Sequence, residues 1–82
     1  MCYVYILKCS DNTLYTGWTV DIDKRLKAHL NGTASKYTRA RLPVQLVYFE
    51  VHKDKISAQK REYAIKQLKR SEKIQLINTR TF

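Results

Sequence analysis

Acidic residues are scarce in this chain, and so are glycine, proline and cysteine. Seven Asp and Glu stand against sixteen Lys and Arg, a formal +9 on 82 residues. A surplus of that size draws polyanions, and nucleic acid is the commonest one inside a cell. Charge alone supplies affinity for phosphate and no chemistry. With two glycines and one proline, the chain carries no linker, repeat or low-complexity tract. Its length suits a single domain, 1–82, with one modest core. A hydrophobic share of 44% is ordinary for a globular chain and argues against disorder. The two cysteines, Cys2 and Cys9, would lie roughly 23 Å apart on one extended strand, beyond disulfide reach. They also lack partners at zinc-finger spacing, so both read as free thiols in a reducing compartment. No apolar run nears the roughly 20 residues that span a bilayer, and no signal-peptide pattern opens the chain. The expected setting is cytoplasmic, away from membrane.

What is present begins with tyrosine. Residues 2–9 are β-branched and aromatic, apolar on both faces, and read as a central strand covered from both sides. Ser10-Asp11-Asn12-Thr13 is turn material, and residues 13–18 return as an antiparallel partner. A two-residue loop at Asp11-Asn12 would set Tyr5 opposite Trp18 and Tyr15 opposite Lys8, sending the two tyrosines to opposite faces. If both serve one site, the hairpin must have an odd loop or a bulge. Thr19 or Asp21 caps a helix to about Asn31, with Gly32 as its stop. Ile22, Leu26 and Leu30 form its expected buried stripe, and Arg25 and His29 share the neighbouring face. Residues 33–43 read as a polar basic loop and 44–51 as a third strand. Ser57 is the expected cap of a helix to about Arg70, with Ala58, Ala64, Ile65 and Leu68 inward and Glu62 at the stripe's edge. A short last helix, about 71–78, packs Ile74 and Ile77 or Leu76. The expected class is α+β: a small three-stranded antiparallel sheet flanked by helices, in the order ββαβαα.

Tyr3-Val4-Tyr5, followed ten residues later by Tyr15-Thr16-Gly17, resembles the paired motif of the GIY-YIG endonucleases. Tyr3 and Thr16 replace the first glycine and the second isoleucine. Thr19-Val20-Asp21, the Arg25-to-His29 spacing with Asn31-Gly32, the Lys36-Tyr37-Thr38 loop, Pro43 and the helical Glu62 also match. The similarity covers nearly the whole chain. It is strongest to the small single-domain members, the UPF0213-like group, related to the domain of structure-specific nucleases.

The resemblance implies a metal-dependent endonuclease that hydrolyses phosphodiester bonds in DNA, with RNA and branched structures open. Its site residues would be Tyr5, Tyr15, Arg25, His29 and Glu62. Glu62 would hold one divalent cation, and a single carboxylate with several waters suits Mg²⁺ or Mn²⁺. Tyr5 would take the proton of the attacking water, which for a phenol of ordinary pKa about 10 calls for a nearby cation, Arg25 or the metal. Arg25 would also grip phosphate oxygens, Tyr15 would position water or phosphate, and His29 would donate to phosphate or share proton transfer. Asn78 falls near a late polar residue of some members. Gly17 is structural, allowing close backbone approach.

Lys36, Tyr37, Arg39 and Arg41 are the expected nucleic-acid contacts. Several members place a lysine just after the second motif, where this chain has Trp18, and Lys36 is the candidate to replace it. Taken singly these residues have ordinary readings, as strand aromatics, a solvated helix face and a paired surface carboxylate. The runner-up function is a nucleic-acid-binding module of the same fold with little turnover. A weaker third is a ribosome or RNA accessory acting through charge. The chain lacks the added DNA-binding modules of larger members, which leaves room for a larger protein partner that supplies specificity.

Overall fold

The structure, a computed structural model, describes residues 1–79. Its elements are β1 (Cys2–Lys8), β2 (Leu14–Thr19), α1 (Ile22–Leu30), α2 (Lys36–Arg39), β3 (Gln45–His52), α3 (Lys55–Lys66) and α4 (Arg70–Asn78). The strands make one antiparallel sheet in the order β2-β1-β3. The central place of β1 follows from its two apolar faces. Val4 and Ile6, with Cys2, pack with Tyr48, Ala58 and Ile65 on the α3 side. Tyr5 and Leu7, with Cys9, pack with Val44, Ile22 and Leu26 on the α1 side. Each fully buried aliphatic side chain there stabilises the fold by about 1.5–3 kcal/mol. Both cysteines are buried and free, and they sit in clusters on opposite faces.

The hairpin has the odd loop that a shared tyrosine face requires. Lys8 pairs with Leu14, so the connection is residues 9–13, and Leu7 lies opposite Tyr15 while Tyr5 lies opposite Gly17. Tyr15 therefore shares a face with Leu7 and, two residues back, with Tyr5. The turn is held by Cys9 N–H donating to the Thr13 carbonyl at 2.9 Å, by Asn12 at φ 67° and by Asp11. The Asp11 carboxylate accepts from Thr13 N–H at 3.1 Å and its hydroxyl at 2.6 Å.

Of the two expected caps of α1, Asp21 is the one used, accepting from Lys24 N–H. The helices depart from expectation elsewhere. His29 takes the innermost place on that helix at 1% exposure, while Leu30 turns outward at 46%. Polar burial is tolerable there because both imidazole nitrogens find partners, as described below. The basic loop contains a single-turn helix, α2, capped by Ser35 accepting from Tyr37 N–H. Asp54, not Ser57, caps α3, because the Asp54 carboxylate accepts both Ser57 N–H and Ser57 O–H at 2.8 Å. Ala58 and Ile65 of α3 are fully buried and Ala64 is exposed. In α4, Leu76 and Ile77 pack on the core, with Ile74 39% exposed. No helix among the described residues is long and apolar enough to cross a membrane.

Candidate active site

Tyr5 is 3% exposed in the middle of the central strand. Its ring lies directly over Gly17. A Cβ at position 17 would stand 2.6 Å from the Tyr5 hydroxyl, 2.7 Å from Cζ and 3.3 Å from Tyr15 Cε2. Glycine here makes room for the site, at a backbone conformation any residue could adopt.

The Tyr5 hydroxyl meets His29 Nε2 at 2.8 Å, and His29 Nδ1 meets Thr38 Oγ1 at 2.8 Å. Thr38, with no exposed surface, donates its single hydroxyl hydrogen to the Ser35 carbonyl at 3.3 Å. It must then accept from His29, which assigns the hydrogen to Nδ1 and leaves Nε2 to accept from Tyr5. A directed chain results, from Tyr5 to His29 to Thr38 to the backbone of Ser35. The Tyr15 ring stands edge-on to His29, centroids 5.2 Å apart, and Tyr5 does likewise at 5.7 Å.

Burial pushes the Tyr5 phenol well above the usual tyrosine range, and Tyr15 and Glu62 add to that rise. Arg25 opposes it but is outweighed. The expected lowering of the Tyr5 pKa is thus reversed for the bare protein, because desolvation of a phenolate costs more than one partly solvated guanidinium returns. Burial lowers His29, and Arg25 lowers it further. Both members of the pair are neutral at pH 7, with Tyr5 the protonated donor and His29 the neutral acceptor.

Arg25, one turn before His29, shares a narrow crevice with Tyr5, Leu7, Ile22, Leu26 and Leu46. Its exposed end borders two clefts. One, of about 270 Å³, is lined by Thr19, Val20, Asp21, Lys24 and Ala28 as well. The other, of about 300 Å³, adds Trp18 and Lys55 to Thr19 and Val20. Lys36 lines neither; the cations that line the second cleft with Trp18 are Arg25 and Lys55.

The basic segment is partly occupied with internal work. Tyr37 stacks on Tyr15 with centroids 5.9 Å apart. The Arg41 guanidinium lies 3.8 Å over the Tyr37 ring, donates to the Tyr37 carbonyl at 3.0 Å and pairs with Asp11 at 2.9 Å. Arg39 packs beside Gly32, which has φ 76°. Lys36 is exposed. Of the four expected nucleic-acid contacts, Tyr37 and Arg41 thus brace Tyr15.

Glu62 comes from the other layer. On α3, Arg61 and Glu62 flank the Ala58–Ile65 line on opposite sides. Arg61 reaches Glu50 of β3 at 2.8 Å, leaving Glu62 on the flank away from β3. Its side chain is 21% exposed and pairs loosely with Lys66 at 3.6 Å, and its charge reaches Tyr5. No group of three or more His, Cys, Asp and Glu side chains converges among the described residues. One carboxylate, partly exposed and held only by a loose pair, fits a hard cation that keeps most of its waters. Asn78 is exposed at the end of α4, and no hydrogen bond among the described residues ties it to Tyr5 or His29. Glu50 forms a separate cluster with Tyr48, His52 and Arg61. Burial pushes the Glu50 carboxyl up, but these three partners hold it below the usual range. Thr38 is the contributor that sequence reasoning missed; it is quoted in a matching motif, yet nothing in its neighbours announces a bond nine residues back.

A hairpin that puts two tyrosines on one face, a glycine under the first, and a helical Arg and His beside them accompany a match to a known family of nuclease domains. The chain belongs to the GIY-YIG family: the model of the GIY-YIG catalytic domain matches residues 1–75. Within it, the chain is similar to UPF0213 proteins. One from Clostridium perfringens is 59% identical over 81 residues, covering 99% of this chain and 87% of that one. Another, from Staphylococcus saprophyticus, is 53% identical over 76 residues, 93% of each. The solution NMR structure of a Bacillus halodurans UPF0213 protein has a TM-score of 0.64 at 44% identity, covering 98% of this chain and 86% of that chain. An E. faecalis protein solved by NMR scores 0.63 at 38% identity, covering 94% and 82%.

Proposed function

We propose that the protein is a metal-dependent endonuclease that hydrolyses phosphodiester bonds, with DNA as the first expected substrate. The observation that carries this reading is the directed chain from Tyr5 through His29 to Thr38, opening beside Arg25. A water attacking phosphorus gives its proton to the Tyr5 oxygen while the phenol proton passes to His29 Nε2. Thr38 accepts from Nδ1–H throughout, which offsets part of the cost that burial and Arg25 set on the imidazolium as it forms. No free phenolate accumulates, so the raised pKa of Tyr5 is no obstacle. Arg25 neutralises charge on the non-bridging oxygens, and Tyr15, braced by Tyr37, limits how the phosphate sits over Tyr5.

Glu62 would hold the divalent cation, Mg²⁺ or Mn²⁺, which supplies charge stabilisation to the phosphate and the leaving alkoxide. Nicking of supercoiled plasmid and of branched DNA, with each ion and with chelator, tests the proposal. Wild type should cleave only with metal, and Glu62→Ala and Arg25→Ala should lose activity. Binding without cleavage on every substrate would favour a nucleic-acid-binding module of the same fold.

A further inference from the structure

The two clefts beside Arg25 share three lining residues, Thr19, Val20 and Arg25. They therefore adjoin, and together make a channel at the end of β2, bordered by α1 and the start of α3. β2 is an edge strand, so the channel follows an open side of the sheet. Its cations are Lys24 and Arg25 on α1 and Lys55 on α3, and its other walls include exposed Val20 and half-buried Trp18. Asp21 is the acid in the lining, and its carboxylate is engaged by Lys24 N–H at 3.1 Å as the helix cap. Lys55 makes no ion pair among the described residues, whereas Lys66 and Arg61 on the same helix are paired. Two cationic residues, Arg25 and Lys55, lining one cleft of about 300 Å³ make a setting that an anion relieves.

We propose that Lys55 is a substrate-binding residue: it contacts a backbone phosphate of the polynucleotide strand that lies along this channel, neighbouring the phosphate held by Arg25. The inference rests on the nuclease reading for its ligand class and extends it by giving the strand a path. It gives α3 a second role, with Lys55 at the channel wall and Glu62 two turns further along the same helix. Trp18 bounds the same space and is the chain's one tryptophan, so its fluorescence reports occupancy directly.

The test is a titration of Trp18 fluorescence with a short oligothymidylate, and separately with oligouridylate, in chelator at several salt concentrations. Wild type should bind with a change in Trp18 emission. Lys55→Ala should bind several-fold more weakly, with the slope of log K against log salt smaller by about 1. Lys60→Ala, on the exposed side of α3, should match wild type, and circular dichroism should confirm that all three are folded. An unchanged affinity and slope for Lys55→Ala, or binding that leaves Trp18 emission unaltered, overturns the proposal. The two oligonucleotides separate a DNA strand from an RNA strand. Lys55-dependent binding without cleavage in Mg²⁺ or Mn²⁺ would sink the nuclease reading and leave this contact standing, and cleavage with no dependence on Lys55 would do the reverse.

Discussion

At the scale of single residues, the Tyr5–His29 pair makes the sharpest demands. Both groups are neutral in the folded protein, and His29 must stay neutral to accept the phenol proton. Because burial and Arg25 depress the His29 pKa, activity should persist below the ordinary imidazole value of about 6.5 and fall only as pH drops through the lowered one. Stability carries the same sign: a depressed histidine contributes fully above its unfolded pKa, and that contribution is lost as pH falls toward the folded value. A pH–rate profile alongside pH-dependent melting reads both. Thr38→Val removes the acceptor of Nδ1–H in a fully buried place, which should cost about 1–3 kcal/mol of stability and slow cleavage, measured by urea denaturation and single-turnover rate. Gly17→Ala pushes a methyl into the Tyr5 hydroxyl. Overpacking of that kind costs about 1–3 kcal/mol, and activity should fall by more than stability alone explains.

At the scale of elements, the bracing of Tyr15 comes from residues far apart in sequence. Asp11 in the hairpin turn pairs with Arg41 after α2, and Arg41 holds Tyr37 on Tyr15. The pair is partly exposed at the surface, and such pairs contribute little to stability. Arg41→Ala should therefore leave Tm close to wild type while raising KM, as Tyr15 loosens over the phosphate; unchanged kinetics would confine Arg41 to the surface. Element by element, much was legible. Two apolar faces on residues 2–9 announced a central strand, and Asp21, Asn31 and Gly32 bounded α1. The inward turn of His29 in place of Leu30 was not legible, because helical periodicity ranks side chains by hydrophobicity and misses a polar group satisfied at both ends. The α2 turn escaped for a related reason: four residues with one cap look like a loop until Thr38 is seen to be anchored inside.

At the scale of the molecule, the sheet divides the labour. The α1 side holds the tyrosines, histidine and arginine, and α3 on the other layer carries Glu62 and Lys55, the proposed metal ligand and strand contact. Residue types and spacing pointed to the first group, and the resemblance to Glu62, but only the folded arrangement put Lys55, and not Lys36, in the cleft that Trp18 lines. The +9 charge draws any polyanion, so affinity by itself cannot distinguish an enzyme from a binding module. Turnover through Tyr5 can. The most direct measurement is the single-turnover cleavage rate of Tyr5→Phe against wild type, in saturating Mg²⁺ or Mn²⁺ with matched substrate binding. The proton-transfer chain predicts a rate at least about a hundredfold lower with binding unchanged. A Tyr5→Phe protein that cleaves at the wild-type rate would contradict it.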